Sequence, residues 1–365
     1  MKKILFSAAM ALVLVSCSRD EVIEVNRNSD VIEFSVVANA LTRAENIYSS
    51  TNLPEEFTVW ASYNGKTYID GDVIKKQSNS WVNTTAVRYW PELAESENLT
   101  FFAHVNGGDY FYFVPGIAAI SDYVVPTDVA AHKDLLYATA VANEGPVNLQ
   151  FRHALSQVVF NAKNTNKGLK VVIDGVSVCN LGNKNTLFYP QSNSVGEIVG
   201  TWNDLDGGNT DYSVTFDQIT VGADATPLTS ANAGGKTYSS NAMLLLPQKT
   251  TAWTPTGTVK PSDASQPGSY FLVKCAISNV AGTDETMLWG TKNNDGTYVT
   301  KEIAIPAEFY WTQGRQYLYT FVFGNGNGGY DPKDNTPVLT PIDFTISVDD
   351  FIPVTEPETP MQTKK

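Results

Sequence analysis

The chain has 365 residues, 42% of them hydrophobic, and its 38 acidic and 25 basic side chains leave a formal net charge of −13. So acidic a surface repels nucleic acid and anionic lipid headgroups, and no basic stripe interrupts it. A charged fraction of only 17%, with 26 glycines, 18 prolines and 17 each of tyrosine and phenylalanine, favours β-structure over helix.

Residues 1–17 read as a leader rather than as fold. Lys2 and Lys3 precede an apolar run from Ile4 to Val15, which suits a signal-peptide core and is too short to span a bilayer as a mature helix. The run ends in Leu14-Val15-Ser16-Cys17, which resembles a bacterial lipobox, with Cys17 as the residue that carries diacylglycerol. Losing residues 1–17 removes two lysines and no acid, so the formal charge moves from −13 to −15. No other stretch is long and apolar enough to cross a bilayer as a helix, so lipid alone is expected to hold the mature protein.

Residues 18–29 are polar and suit a tether. The first strand is expected over 30–39, with Ile32, Phe34, Val36 and Ala38 on one face. A polar loop over 40–50 follows and contains Arg43. Further strands are expected at Phe57–Tyr63, with Asn64-Gly65 as a hairpin turn into Thr67–Ile69, and at Leu99–Val105, Tyr110–Val114 and Val147–Phe151. Asp128–Ala142 reads as a helix capped by Asp128 that ends extended. A second series runs through Leu155–Ala162, Lys170–Cys179, Tyr212–Phe216, Ala242–Leu246, Tyr270–Ser278, Tyr298–Ile305 and Tyr317–Phe323. The glycine-rich Gly324–Pro337 reads as an exposed loop. The strand Ile342–Phe351 comes next, with Ile342, Phe344, Ile346 and Val348 on one face, and a polar tail covers 352–365.

Short strands with turn chemistry between them and little helical period indicate an all-β fold of antiparallel sandwiches. The length exceeds one comfortable core, so two domains are expected, 18–151 and 152–351, meeting near Phe151–Leu155.

The sequence holds little that reads as chemistry. No HExxH, P-loop, GxSxG or dinucleotide fingerprint occurs, so no catalytic residue and no cofactor is assigned. His104, His132 and His153 lie far apart with no spaced metal partner, and Glu55-Glu56 and Asp349-Asp350 each point to opposite faces of extended chain. The Asp204–Asn209 turn has a calcium-loop flavour, but its glycine comes too early and no closing Glu follows. No metal site is assigned. Cys179 and Cys275 read as two buried free thiols, and the seven tryptophans as core filler before sugar platforms.

The two terminal strands match in side-chain size and register, so either could fill the groove the other vacates. A trypsin-like cut after Arg43 would release residues 18–43 and leave a sheet edge open to another chain. Alternatively, Arg43 is a plain surface arginine and the first strand stays home.

From the lipobox through "FSVVANALTRAE", "FTVWASYNG", "RYWPELAESENLTFFAHV", "HKDLLYATA", "VNLQFRHALSQVVFNAKN", "LLLPQ", "WTQGRQYLYTFVF" and "IDFTISVDDF", the chain resembles the fimbrillins of Bacteroidetes type V pili. The resemblance implies two tandem transthyretin-like sandwich domains and export as a lipoprotein to the outer membrane and cell surface. It also implies arginine-directed removal of the first strand and polymerisation with other pilus subunits by strand donation. Carried onto this chain, Cys17 is the lipidation site, Arg43 the cleavage site and Ile342–Phe351 the donor candidate. Arg27 is a second possible cut, one that would leave the first strand attached. The tail after Phe351 is unlike a long second donor, so Ile342–Phe351 could instead close its own domain, as in a tip, anchor or accessory subunit. The competing reading is a surface lipoprotein that binds glycans or host ligands without polymerising.

Overall fold

The computed structural model describes residues 30–38, 54–78, 80–94, 97–191, 199–203, 205, 208–228, 242–255, 268–326, 328–338 and 340–350. Strands β1 (Phe34–Ala38), β2 (Glu56–Tyr63), β3 (Lys66–Gln77), β4 (Ser80–Asn83), β5 (Leu99–Val105), β6 (Phe111–Val114), β7 (Ile117–Val124), β8 (Leu136–Ala142) and β9 (Val147–His153) come first. All but β6 and β7 close into a barrel in the order β1-β4-β3-β2-β5-β8-β9. Alternation explains the closure. Phe57, Val59 and Ala61 of β2, Phe101 and Ala103 of β5 and Leu149 and Phe151 of β9 all point inward and are buried in one cluster. The hairpin at Asn64-Gly65 has φ of 48° and 70°, the left-handed pair that matches strand twist and that Asn-Gly tolerates.

The second half supplies β10 (Ser156–Asn164), β11 (Leu169–Leu181), β12 (Lys184–Phe188), β13 (Thr201–Trp202), β14 (Thr210–Thr220), β15 (Thr226–Pro227), β16 (Met243–Leu245), β17 (Tyr270–Ala281), β18 (Asp284–Trp289), β19 (Thr291–Lys292), β20 (Tyr298–Val299), β21 (Lys301–Pro306), β22 (Arg315–Phe323) and β23 (Ile342–Asp350). One sheet runs β15-β10-β22-β23 with β16 also on β10, and a second runs β14-β11-β17-β18 with β21 also on β17. The fold is all-β. Among the described strands two pairings are parallel, β1 with β9 and β10 with β22, so each half's opening strand runs beside a later strand of that half.

A smaller sheet, β6-β7-β12-β13, takes strands from both halves. It rests on Tyr189, whose ring meets Phe102, Phe111 and Tyr137 and whose hydroxyl donates to the Ala103 carbonyl. The chain crosses between halves at Ala154 and Leu155, both buried, and the Trp202 indole donates to the Ala154 carbonyl at 2.9 Å. The sequence reading does not name β4, β7, β12 or β18 and gives Tyr298–Ile305 as one strand where β20 and β21 stand, and two further departures bear on packing. The helix expected after Asp128 is one 3-10 turn, Val129–Ala131, with the Asp128 carboxylate accepting from the Ala130 amide. His132 then leaves the turn, its ring at 2.9 Å from the Pro126 carbonyl and accepting from the Leu244 amide. Nor is Gly324–Pro337 a bare exposed loop. Tyr330 exchanges backbone hydrogen bonds with Ala304 at 2.8 and 2.9 Å, and Gly329 and Asn335 are buried. A Cβ at Gly329 would lie 2.3 Å from Ile303, so glycine there permits the close approach.

Candidate functional site

The barrel closes on β1, and its two sides hold β1 differently. On one side β9 pairs with it in parallel over the whole strand, from Phe34 opposite Val147 to Ala38 opposite Phe151. On the other, β4 meets it at a single register position, Phe34 opposite Trp81. The rest of that wall is a strap, residues 84–90. Val31 bridges Tyr89, the Ile32 amide donates to the Arg88 carbonyl at 2.8 Å, and the Trp90 amide donates to the Asp30 carbonyl at 3.1 Å. Ile32 and Phe34 are 4% and 6% exposed, and Val36 packs on the same cluster. The Phe34 ring meets Phe57 and Phe101 edge-on at 5.9 and 6.1 Å. Two T-shaped contacts make a slot for an aromatic ring at that position.

An ion pair buried at its carboxylate end and partly exposed at Arg88 fixes the strap. Asp72 of β3 is fully buried and accepts from Arg88 Nε at 2.7 Å and Nη2 at 2.8 Å, and from Asn83 Nδ2 at 2.7 Å. Burial alone raises this carboxyl, but the Arg88 and Asn83 hydrogen bonds outweigh it and hold the group below its ordinary range. Asn83 Oδ1 caps the start of the strap, accepting from the Thr85 and Ala86 amides at 2.9 and 3.0 Å. The Tyr68 hydroxyl donates to the Tyr89 carbonyl. Sequence reading missed this pair. The available signal was parity, since Asp72 stands two residues before the buried Ile74 on one strand.

The donor candidate sits elsewhere. β23 pairs antiparallel with β22 from Arg315 opposite Asp350 to Phe323 opposite Ile342, at the end of its sheet. Ile342 is buried, and Phe344 is half-buried with its ring 5.3 Å from Phe271. Ile346 and Val348 are 49% and 51% exposed. The structure therefore holds this strand in its own sheet and does not bring it to the β1 groove. Cys17, Arg27, Arg43, Asp204, Asp206, Phe351 and the tail lie outside the described residues, as do the side chains of Ala38, Asp349 and Asp350.

The remaining candidates are structural. His104 stacks on Trp60 at 5.2 Å, and burial pushes its ring down to about 4. The His153 ring lies 2.9 Å from Asp134 at the end of β9. Cys179 and Cys275 are buried free thiols, both pushed up by burial. Among the described residues no three His, Cys, Asp or Glu side chains group as a metal site, and no helix is long and apolar enough to cross a membrane. Trp90, Trp253 and Trp311 are buried, and the other four tryptophans are partly covered. The exposed aromatics Tyr110, Tyr112 and Phe188 and the exposed Ile117 lie on or beside the β6-β7-β12-β13 sheet.

Comparison with known proteins adds the family. The fimbrillin-like sequence profile matches residues 42–347. No curated protein matches the chain. Among solved structures, a Bacteroides ovatus protein described as a cell adhesion protein aligns at a TM-score of 0.45 and 13% identity, covering 89% of this chain and 99% of that one. One from Bacteroides eggerthii, described alike, aligns at 0.45 and 14%, covering 88% and 96%. The tip fimbrial protein Mfa3 of Porphyromonas gingivalis, with a C-terminal truncation, aligns at 0.33 and 9%, covering 87% and 99%. On the profile match across most of its length, the chain belongs to the fimbrillin-like family.

Proposed function

We propose that the chain is a structural subunit of a type V pilus, exported as a lipoprotein through Cys17, matured by a cut after Arg43 and assembled by strand donation. One observation carries this reading. The barrel is closed by a strand near the start of the chain, held along one side by a full parallel ladder and on the other by one ladder position and a strap. Removing such a strand leaves the β9 edge and the Phe34 slot open, and an open edge above an apolar trough recruits a strand. Ile32 and Phe34 are each worth about 1.5–3 kcal/mol if fully buried, so the vacated groove binds a replacement strongly.

The donor is Ile342–Phe351 of a neighbouring subunit. Its apolar residues follow the order of the first strand, with phenylalanine second in both. Its far half is half-exposed at Ile346 and Val348, so leaving β22 uncovers less apolar surface than docking into the groove covers. Each subunit gives and receives, a head-to-tail contact that builds filaments. Brief trypsin treatment of lipid-free mature protein tests the scheme, followed by intact mass and size exclusion. The expected result is a cut after Arg43, loss of the preceding peptide and a ladder of oligomers. Resistance at Arg43, or a cut protein that keeps its first strand, overturns it.

A second reading rests on the exposed Tyr112, Ile117 and Phe188 of the sheet shared by the two halves. Such a rigid aromatic face suits a glycan or host surface ligand, bound by a lipoprotein that does not polymerise. Retention of residues 18–43 on cells would favour it.

A further inference from the structure

We propose that Asp72 and Arg88 form a positioning clamp that keeps the wall of the groove in strand-pairing geometry whether or not a strand occupies it. The inference rests on the strand-exchange reading above and adds what makes the groove ready to receive. The strap is tied to β3 by its own bonds and hydrogen-bonds to the first strand through backbone groups, with Trp90 in the buried cluster that holds Ile32 and Phe34. The Arg88 fork grips Asp72, the Thr84 amide donates to the Val73 carbonyl at 2.9 Å, the Val73 amide donates to Thr85 Oγ1 at 2.9 Å, and Tyr68 holds the Tyr89 carbonyl. Toward the first strand it offers the Arg88 carbonyl, which accepts from Ile32, and the Trp90 amide, which donates to Asp30. When that strand departs, the bonds to β3 remain, while these two backbone groups lose their partners and Trp90 loses the packing of the Ile32 and Phe34 cluster.

The choice of residues supports a geometric role. Taking a carboxylate fully out of water is costly, and an apolar pair of similar volume would often hold a strap equally well. A guanidinium fork on a carboxylate fixes orientation as well as distance, and Arg88 is the residue whose carbonyl faces the groove. Because the strap's hydrogen bonds to the first strand are backbone bonds, they fix where and in which direction a strand lies. Selection among strands falls to the side-chain slots for Ile32 and Phe34. An incoming strand must run parallel to β9 and place an N–H opposite the Arg88 carbonyl.

The experiment uses the mature chain with Arg88→Lys, which keeps the charge and loses the fork, and with Asp72→Asn. In uncut protein, amide hydrogen exchange is read at Ile32 and Trp90 against Phe101 and Ala103 of β5. At least about tenfold faster exchange is expected at the first pair with no change at the second, the local opening that loss of charge-assisted bonds produces. After trypsin, capture of a fluorescent peptide carrying the sequence of residues 30–38 is expected to slow by about tenfold or more, with the β5 amides as protected as before. Unchanged exchange at Ile32 and Trp90 overturns the clamp, and so does capture by Arg88→Lys at the wild-type rate. If wild-type protein releases no first strand on cutting, the strand-exchange reading fails while the exchange data still decide the clamp. If Asp72→Asn does not fold, Arg88→Lys alone decides it.

Discussion

The first and last described strands carry nearly the same pattern, and the fold buries them to different depths. In β1, Phe34 is 6% exposed and lies against two aromatic rings, whereas in β23 the pattern fades from buried Ile342 to Ile346 at 49% and Val348 at 51%. The cause is position. β1 closes a barrel, so its apolar face looks into an interior lined from all sides, and β23 ends a sheet beside β22. Alternation fixes which face is apolar, and the neighbouring elements decide whether that face is covered. The opening strand is therefore buried at Ile32 and Phe34, and the closing one is buried only at its first apolar residue, Ile342.

The largest expected effect tests that contrast directly. Phe34→Ala should cost about 3–5 kcal/mol, the range for emptying an aromatic site in a packed core, because Phe57 and Phe101 cannot close over the gap without moving their strands. Ile346→Ala removes a side chain already half in water and should cost about 1 kcal/mol or less. Urea unfolding of both variants followed by tryptophan fluorescence gives the two numbers. Equal losses would break the comparison and place β23 deeper in the packing than its exposure indicates.

Acid should sharpen the contrast with a somewhat smaller effect. His104 lies on β5, and burial holds its ring at about 4. As pH falls below the ordinary histidine value near 6.5, the unfolded chain takes up a proton that the folded barrel refuses, so stability present at neutral pH is lost between about 6.5 and 4. The loss is about 3 kcal/mol at most, and His104→Phe should flatten the profile over that window. Asp72 titrates below its ordinary range, so the clamp opens only at lower pH, and the two events separate. β1 amides should lose protection through the upper window while β22 and β23 amides hold. Parallel loss in both regions would show that the halves melt as one unit through the joint at Ala154 and Leu155.

Much of this architecture was legible in the residues. Leu99–Val105 was predicted and found with the same ends, and Phe57–Tyr63 differs only by beginning at Glu56, because period-two burial leaves a plain trace where one face is packed. The Asn64-Gly65 turn was equally plain, since few dipeptides tolerate two left-handed residues in succession. The parallel partners of β1 and β10 were not legible, because nothing local in a strand records which distant strand lies beside it. The candidate site divides in the same way. The apolar stripe of Ile32, Phe34 and Val36 could be read, but the strap could not. Its hold on β3 depends on Asp72 meeting Arg88 across sixteen residues of chain, and nothing local to either residue records that partner. The packing of Gly324–Pro337 was missed for a related reason, as glycine marks a close approach as readily as an exposed turn.

The smallest expected change in stability bears most on the proposed function. Replacing Ile346 and Val348 together by threonine keeps β-branching and strand propensity while removing apolar surface, and both sites are already half in water, so unfolding free energy should move by about 1 kcal/mol or less. In a donated strand the same two residues would take the places of Val36, which packs on the barrel cluster, and of Ala38, and each is worth about 1.5–3 kcal/mol if fully buried there. The double variant should therefore melt like wild type, be cut after Arg43 like wild type, and yet fail to form the oligomer ladder in size exclusion. A ladder of wild-type length would mean that another segment fills the groove and that β23 serves only its own sheet. The contrast between the two terminal strands would then be a difference of burial alone, with no bearing on assembly.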